Sequence, residues 1–219
     1  MELTHLGHAC LLVEVGDQRI LIDPGNFSDL DDLHDLTAVV ITHLHRDHCD
    51  PERLPGLLED NPDAVVLVEP QTAEELTGAG LQRSLERMAS GTPVRVGNLE
   101  IMPVGELHAP NQPYVPRVGN LGVVLRAEGE PTLYHPGDAL DGEPGEVDLL
   151  AVPVNAPWGK VAEMIEFVRR VRPETGIIPI HDALLSEAGR SMYLTHIGGH
   201  GLDGGVEVLD LKDAGTREL

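Results

Sequence analysis

The chain has 219 residues, 41% of them apolar and only 3% aromatic, enough for one domain over 1–219 whose core rests on Leu, Val, Ile and Ala. It contains no apolar run of 18 residues, so no membrane span is expected. Its 37 acidic against 15 basic residues give a formal charge of −22, and such a surface repels phosphate backbones, which disfavours a nucleic-acid partner.

Residues 9–15 and 19–22 read as two strands around the turn Gly16-Asp17, a short hairpin signal. Asp23-Pro24-Gly25 ends the second strand. The apolar run 38–42 reads as a buried strand. Pro51 then opens a short helix or turn, 64–68 is a further strand, and 71–78 and 81–89 read as short helices. Residues 94–104 form strand-like segments around Gly97-Asn98, a hairpin candidate. Strands at 121–127 and 132–135 flank a Gly129 turn, and 147–154 is strongly apolar and reads as buried. The clearest helix is 160–172, where Val161, Met164, Ile165, Val168 and Val171 recur at helical spacing and Pro173 stops it. A strand at 176–180 ends at His181, 184–195 reads as a helix, and 206–211 as a strand closing a sheet. Cys10 and Cys49 form neither a C-x-x-C pair nor a disulfide framework. No basic segment followed by an apolar core opens the chain. A reducing, cytoplasmic setting is therefore expected.

The densest chemistry is Thr42-His43-Leu44-His45-Arg46-Asp47-His48, directly after the apolar run Ala38-Val39-Val40-Ile41. Three imidazoles and a carboxylate at the end of a buried strand are the usual donors of catalytic metal sites. Without an ion they would repel one another when charged and would need other partners if buried. Cys49 follows His48 and reads as a small apolar spacer behind this loop.

The pattern H-x-H-x-D-H resembles the signature of the metallo-β-lactamase superfamily of hydrolases. In that family a lone His follows, then an Asp in a Gly-Asp pair, then a His after a late strand. This chain has His108 in Gly-Glu-Leu-His-Ala, Asp138 in His-Pro-Gly-Asp-Ala and His181 in Ile-Pro-Ile-His-Asp. The resemblance implies an α/β fold, a four-layer αβ/βα sandwich of two mixed β-sheets flanked by helices. It also implies two divalent metal ions. His43, His45 and His108 would hold the first, Asp47, His48 and His181 the second, and Asp138 would bridge them. All seven are nitrogen or oxygen donors, which suits Zn²⁺ and is compatible with Mn²⁺ or Fe²⁺. The diiron flavoprotein branch has Glu where this chain has His45, so the resemblance points to hydrolysis.

Asp23 matches a family Asp that buttresses the metal ligands, the alternative being a turn residue before Pro24. His8 in Leu6-Gly7-His8-Ala9 resembles a segment of one hydrolase branch. With Leu-Ile-Asp-Pro and Tyr-His-Pro-Gly-Asp it looks like the small hydrolases related to L-ascorbate-6-phosphate lactonase. His135, Asn155, Trp158 and Tyr114 are further candidates for supporting the site or touching substrate, with packing as the other reading. Asp182 either supports a ligand or caps the following helix. The implied function is a dinuclear metal-dependent hydrolase acting on a small ester, lactone or phosphodiester through a metal-bridging hydroxide, with Asp47 orienting the nucleophile or moving a proton. The alternatives are a nuclease acting on nucleic acid, which would need a basic groove, and a noncatalytic metal-binding module, against which the intact ligand set argues. A small-molecule substrate is expected as partner, and a homo-oligomer stays open.

Overall fold

A computed structural model describes residues 1–219. In the first half, β1 (Glu2–Gly7), β2 (Cys10–Val15) and β3 (Gln18–Ile22) run antiparallel, while β4 (Ala38–Ile41), β5 (Val65–Val68) and β6 (Glu86–Arg87) continue the sheet parallel to β3. Parallel neighbours need crossovers, and α1 (Leu54–Asp60) and α2 (Pro70–Gly78) lie in those between β4 and β6. The second half repeats the plan. Here β7 (Val94–Val96), β8 (Leu99–Val104), β9 (Gly122–Arg126) and β10 (Leu133–His135) are antiparallel, and β11 (Leu149–Pro153) and β12 (Gly176–Ile180) are parallel to β10. The helix α3 (Val161–Val171) crosses from β11 to β12, and α4 (Glu187–His200) follows. Finally β13 (Arg217–Glu218) returns to pair with β1.

Side-chain alternation explains the layers. Ile20 and Ile22 face inward and meet Leu99, Ile101, Val123, Leu125 and Ile178 of the second sheet. Leu21, Val39 and Ile41 face outward and pack under Leu54, Leu57, Leu58, Ala73 and Leu76 of α1 and α2. On the other side Leu150, Val152 and Ile177 pack under Met164, Phe167 and Val168 of α3 and Ile197 of α4. Strands covered on both faces must be apolar throughout, and β4, β11 and β12 are buried at every residue. The result is two mixed sheets face to face with helices outside, the sandwich that the sequence resemblance implies.

Four elements differ from the sequence reading. β1 is a strand that the polar sequence Glu2-Leu3-Thr4-His5 conceals, since of Glu2–Gly7 only Leu3 is fully buried. Residues 81–89 are not a helix but an extended edge carrying β6. Leu81, Arg83 and Leu85 are half-buried while Gln82, Ser84 and Glu86 are exposed, the period of a strand. Arg83 anchors this edge by donating to the carbonyls of Ala64 and Asn61. Residues 206–211 make only a single bridge, Ile177 to Val208, beside β12. α4 starts later than the expected 184, because the Ser186 hydroxyl accepts the Gly189 N–H and caps it there.

Gly25 shows how tightly the edge of the sandwich is packed. A Cβ there would lie 1.8 Å from the Asp47 carbonyl oxygen. Gly56, on the exposed side of α1, has no neighbour within 4 Å. We expect Gly25→Ala to lower unfolding free energy by about 2 kcal/mol or more, since backbone must move. Gly56→Ala should raise it by roughly 0.5–1 kcal/mol through helix entropy. Urea unfolding of both variants beside the wild type checks the pair.

Candidate metal centre

Most of the polar groups gather where strands end. In an open α/β sheet this edge is the natural place for a ligand. β3 ends at Asp23, β4 at Thr42 and His43, β10 at the Pro136-Gly137-Asp138 turn, β11 at Asn155 and β12 at His181. After His43 the chain curls, with the N–H groups of His48 and Cys49 both donating to the His45 carbonyl at 2.9 and 2.8 Å. Asn120 clamps the 136–138 turn. Its Oδ1 accepts the Asp138 N–H at 2.9 Å and its Nδ2 donates to the Pro136 carbonyl at 2.9 Å. The Ala109 N–H reaches the Asp138 carbonyl at 2.7 Å, which binds the segment carrying His108 to that turn. The His181 N–H donates to the His8 carbonyl at 2.8 Å, which joins β12 to the β1–β2 turn. His8, Asp23 and His181 all adopt left-handed backbone, with φ of 53°, 51° and 60°. Such strain costs on the order of 1 kcal/mol each and persists only where surroundings impose it.

Two groups of donors result. His43, His45, His108 and Asp138 form one, and Asp47, His48 and His181 with His8 form the other. Asp138 lies between them, its carboxylate 3.1 Å from His48 Nε2, 3.3 Å from His108 Nε2 and 3.2 Å from His181 Nε2. His43 Nε2 faces His45 Nδ1 at 3.2 Å.

The imidazoles are held in one tautomer by a second layer. His48 Nδ1–H donates to Asp23 Oδ2 at 2.7 Å, His108 Nδ1–H to the Ala109 carbonyl at 2.6 Å, and His181 Nδ1–H to the Asn155 carbonyl at 2.6 Å. Thr42 Oγ1 donates to Asp23 at 2.7 Å and so accepts from His43 Nδ1–H at 3.1 Å. In its neutral form each of these four rings therefore presents its Nε2 lone pair to the centre. His48, His108 and His181 Nε2, together with Asp138 Oδ1, are buried without any hydrogen-bond partner. Donor atoms that converge in this way around a buried carboxylate fit a cation. Two donors about 2.05 Å from one ion at the tetrahedral angle would stand about 3.3 Å apart. The observed 3.1–3.3 Å separations match that spacing.

His8 behaves differently. Its Nδ1 accepts the Ala183 N–H at 3.3 Å, so its Nε2 carries the proton and donates to Asp47 Oδ2 at 3.1 Å. Trp158 likewise donates its indole N–H to Asp138 Oδ2, at 2.8 Å.

The carboxylates set the electrostatics of the centre. Burial would raise the Asp138 carboxyl, but the His48 and His181 imidazoles outweigh it and hold the group well below the carboxylate range. Burial likewise opposes ionisation of Asp47, and the nearby His181 imidazole together with the hydrogen bond from His8 overcomes it. Burial, then His48, keep His43 neutral far below its usual value. Asp138 outweighs burial at His48 and His181, raising the first well above its usual value and the second to about 9, so without an ion these two rings hold protons that a metal would displace. The carboxylates thus stay ionised and draw positive charge to the centre.

Other candidates fall outside the cluster. His135 is buried, but it links the Ala9 carbonyl and the Gly137 N–H. The Asn155 side chain donates to Tyr193 Oη and only its carbonyl serves the site. Asp182 neither touches a ring nor caps α4; it accepts Arg190 Nε at 2.5 Å. Tyr114 is 91% exposed. Burial pushes the Cys49 thiol up to about 12, and it packs beneath α1 and α2. Trp158, Asn120, Thr42 and Arg190 are the supporting residues whose role no local motif announced.

Comparison with known proteins places this geometry. A family profile described as "Beta-lactamase superfamily domain" matches residues 2–181. Protein Rv0786c of Mycobacterium tuberculosis is 40% identical over 195 residues, covering 88% of this chain and 89% of that protein. A UPF0173 metal-dependent hydrolase of Sinorhizobium medicae is 31% identical over 195 residues, covering 83% and 74%. The solved structure of a metallo hydrolase from the archaeon Ignicoccus hospitalis superposes with a TM-score of 0.73 at 23% identity, covering 100% of this chain and 98% of that one. That last likeness concerns the fold.

The strand end that carries His181 depends on a buried clamp. Arg190 of α4 is 9% exposed and binds Asp182 by Nε and Asp210 through a bidentate pair at 2.6 and 2.7 Å. We expect Arg190→Leu to cost about 3 kcal/mol at neutral pH, since it leaves the Asp182 carboxylate buried and unpaired. The hydrogen bond from Arg190 is the main reason the Asp210 carboxyl lies below its ordinary value. A depressed carboxyl contributes stability above its unfolded value, about 3.9, that is lost as pH falls through the folded value. The deficit of the variant should therefore be larger at about pH 7 than at about pH 3 in urea unfolding.

Proposed function

The chain belongs to the β-lactamase superfamily and is a metal-dependent hydrolase of it, and on that premise we propose a dinuclear centre held by His43, His45, Asp47, His48, His108, Asp138 and His181. The observation that carries the reading is the convergence of buried, unpartnered donor atoms from His48, His108, His181 and Asp138. In the proposal Asp138 serves both ions, since it lies within 3.3 Å of ring nitrogens from both groups. Zn²⁺ suits the imidazole-rich set, and Mn²⁺ or Fe²⁺ would be tolerated. When bound, such ions would polarise the scissile bond and activate water at neutral pH.

The chain's own residues supply the rest. Asp47 is half-buried and ionised, and the His8 N–H aims its Oδ2. It is the group placed to orient the attacking water by accepting its hydrogen bond. Asp23, through Thr42 and His48, fixes ring orientation on both sides of the centre. Trp158 holds one oxygen of Asp138 and leaves the other free. The substrate is a small ester or lactone, with a phosphodiester as the less favoured member of the same class. The likeness of residues 6–9 to lactonase-related hydrolases supports this choice.

His8 and Asp138 separate the proposal from a structural role for the cluster. Asp138→Ala removes a shared negative ligand, so it should lose at least one of two ions and reduce turnover by roughly a hundredfold or more. His8→Ala should keep both ions, because its Nε2 is a donor to Asp47, and should lower the rate while Asp47 is left unaimed. Elemental analysis of reconstituted protein and hydrolysis of a panel of 4-nitrophenyl esters and lactones measure both. Two tightly held ions with full activity in Asp138→Ala would refute the shared-ligand assignment.

A further inference from the structure

Trp158 joins the centre to an unassigned cleft. Its indole N–H holds Asp138, and its ring forms one wall of a cavity of about 580 Å³ completed by Pro110, Leu140, Ala162 and Phe167. Ala109 also lines it, and the Ala109 carbonyl is the acceptor that orients His108. The cavity therefore begins one residue away from two groups of the centre. Its volume falls within the range of small-molecule sites.

The charge of the lining selects the occupant. Arg117 and Arg170 both face the cavity, but two nitrogens of each are tied to backbone. Arg117 binds the carbonyls of Leu107 and His108, and Arg170 those of Leu140 and Gly142. Asp141 at 3.7 Å and Glu143 at 3.8 Å answer the two guanidinium charges, and Glu163 and Glu166 also face the cavity. No surplus positive charge remains to recruit an anion. Trp158, Leu140 and Pro110 offer an apolar surface instead. Neither of two other hollows offers this. One of about 600 Å³ lies at the opposite ends of β10–β12, among Arg126, Asp148 and Glu174. The other, about 300 Å³ beside His8, is lined by Asp29, Asp182, Lys212 and Asp213.

We propose that the Trp158 cleft binds the uncharged hydrocarbon part of the substrate, an acyl or alkyl chain, while the scissile bond lies at His108, Asp138 and His181. This rests on the hydrolase reading and narrows it to esters or lactones bearing an apolar chain.

Trp158 is the only tryptophan, so its emission reports this site alone. The binding probe is N-phenyl-1-naphthylamine, added to purified metal-loaded protein. It should saturate at one per chain with energy transfer from Trp158. Ala162 is exposed in the first turn of α3, so Ala162→Phe fills the cavity without entering the core. That variant should bind the probe at least about tenfold more weakly, with wild-type metal content and unfolding midpoint. In parallel, kcat/KM on 4-nitrophenyl acetate through octanoate should rise by up to about fourfold per methylene in the wild type and stay flat in Ala162→Phe. Probe binding that Ala162→Phe abolishes, with no ester hydrolysed, would keep the cleft and refute the ester-hydrolase reading. Absence of transfer from Trp158, or equal affinity in Ala162→Phe, would overturn the cleft even if esters turn over.

Discussion

Asp138 is a carboxylate that is 2% exposed, and the rest of the edge is built around the need to keep it charged. An isolated ionised carboxylate in such a place would be untenable or would take up a proton. Here it is surrounded instead by ring nitrogens from three separate parts of the chain and by the Trp158 N–H. Those rings are themselves buried and would repel one another if all were cationic. The second layer resolves this by committing each Nδ1–H to Asp23, Thr42 or a backbone carbonyl. What is left is a set of ring nitrogens and negative charge that suits a cation. This requirement orders the chemistry of the edge more than any single ligand does.

The sandwich makes such an arrangement affordable because both sheets deliver residues at rigid strand ends. Asp23 and His43 come from the first sheet, and Asp138 and His181 from the second. Left-handed backbone at His8, Asp23 and His181 shows the chain turning sharply to bring side chains inward. Gly137, with φ of 60°, is needed for the same reason, since a Cβ there would lie 2.4 Å from Asn120 Oδ1 and 2.7 Å from Thr42 Oγ1. Local strain is accepted at one edge and offset by cores on three levels, between the sheets and beneath each helical layer.

Much of this was readable from the chain, for identifiable reasons. Doubly covered strands such as Ala38–Ile41 announce themselves as unbroken apolar runs, and α3 by its helical period and Pro173. The 43–48 cluster is local, so its donors are visible together. His108, Asp138 and His181 became candidates only through family likeness, because nothing in a lone His or Asp reveals which distant residues it meets. The edge strand β6 was misread as helix because Leu81, Leu85 and Met88 also fit a helical spacing. Trp158 was legible only as a substrate contact or a packing residue, since its bond to Asp138 spans 20 residues and depends on where α3 begins. Arg190 stayed invisible for the same reason, its two carboxylates lying 8 and 20 residues away.

The net charge of −22 bears on which substrate such a centre meets. An acidic surface raises a barrier to approaching anions over about a Debye length, near 8 Å at physiological salt. A phosphodiester would cross that field before reaching any positive charge at the centre. An uncharged ester or lactone crosses it without penalty. In the proposal it then gains by burying hydrocarbon against Trp158, Leu140 and Pro110, a contribution that salt does not screen. An acidic exterior and an apolar cleft beside a polar centre look unrelated, yet in the proposed reading they point to the same partner, a neutral molecule whose only charge develops at the reacting atoms.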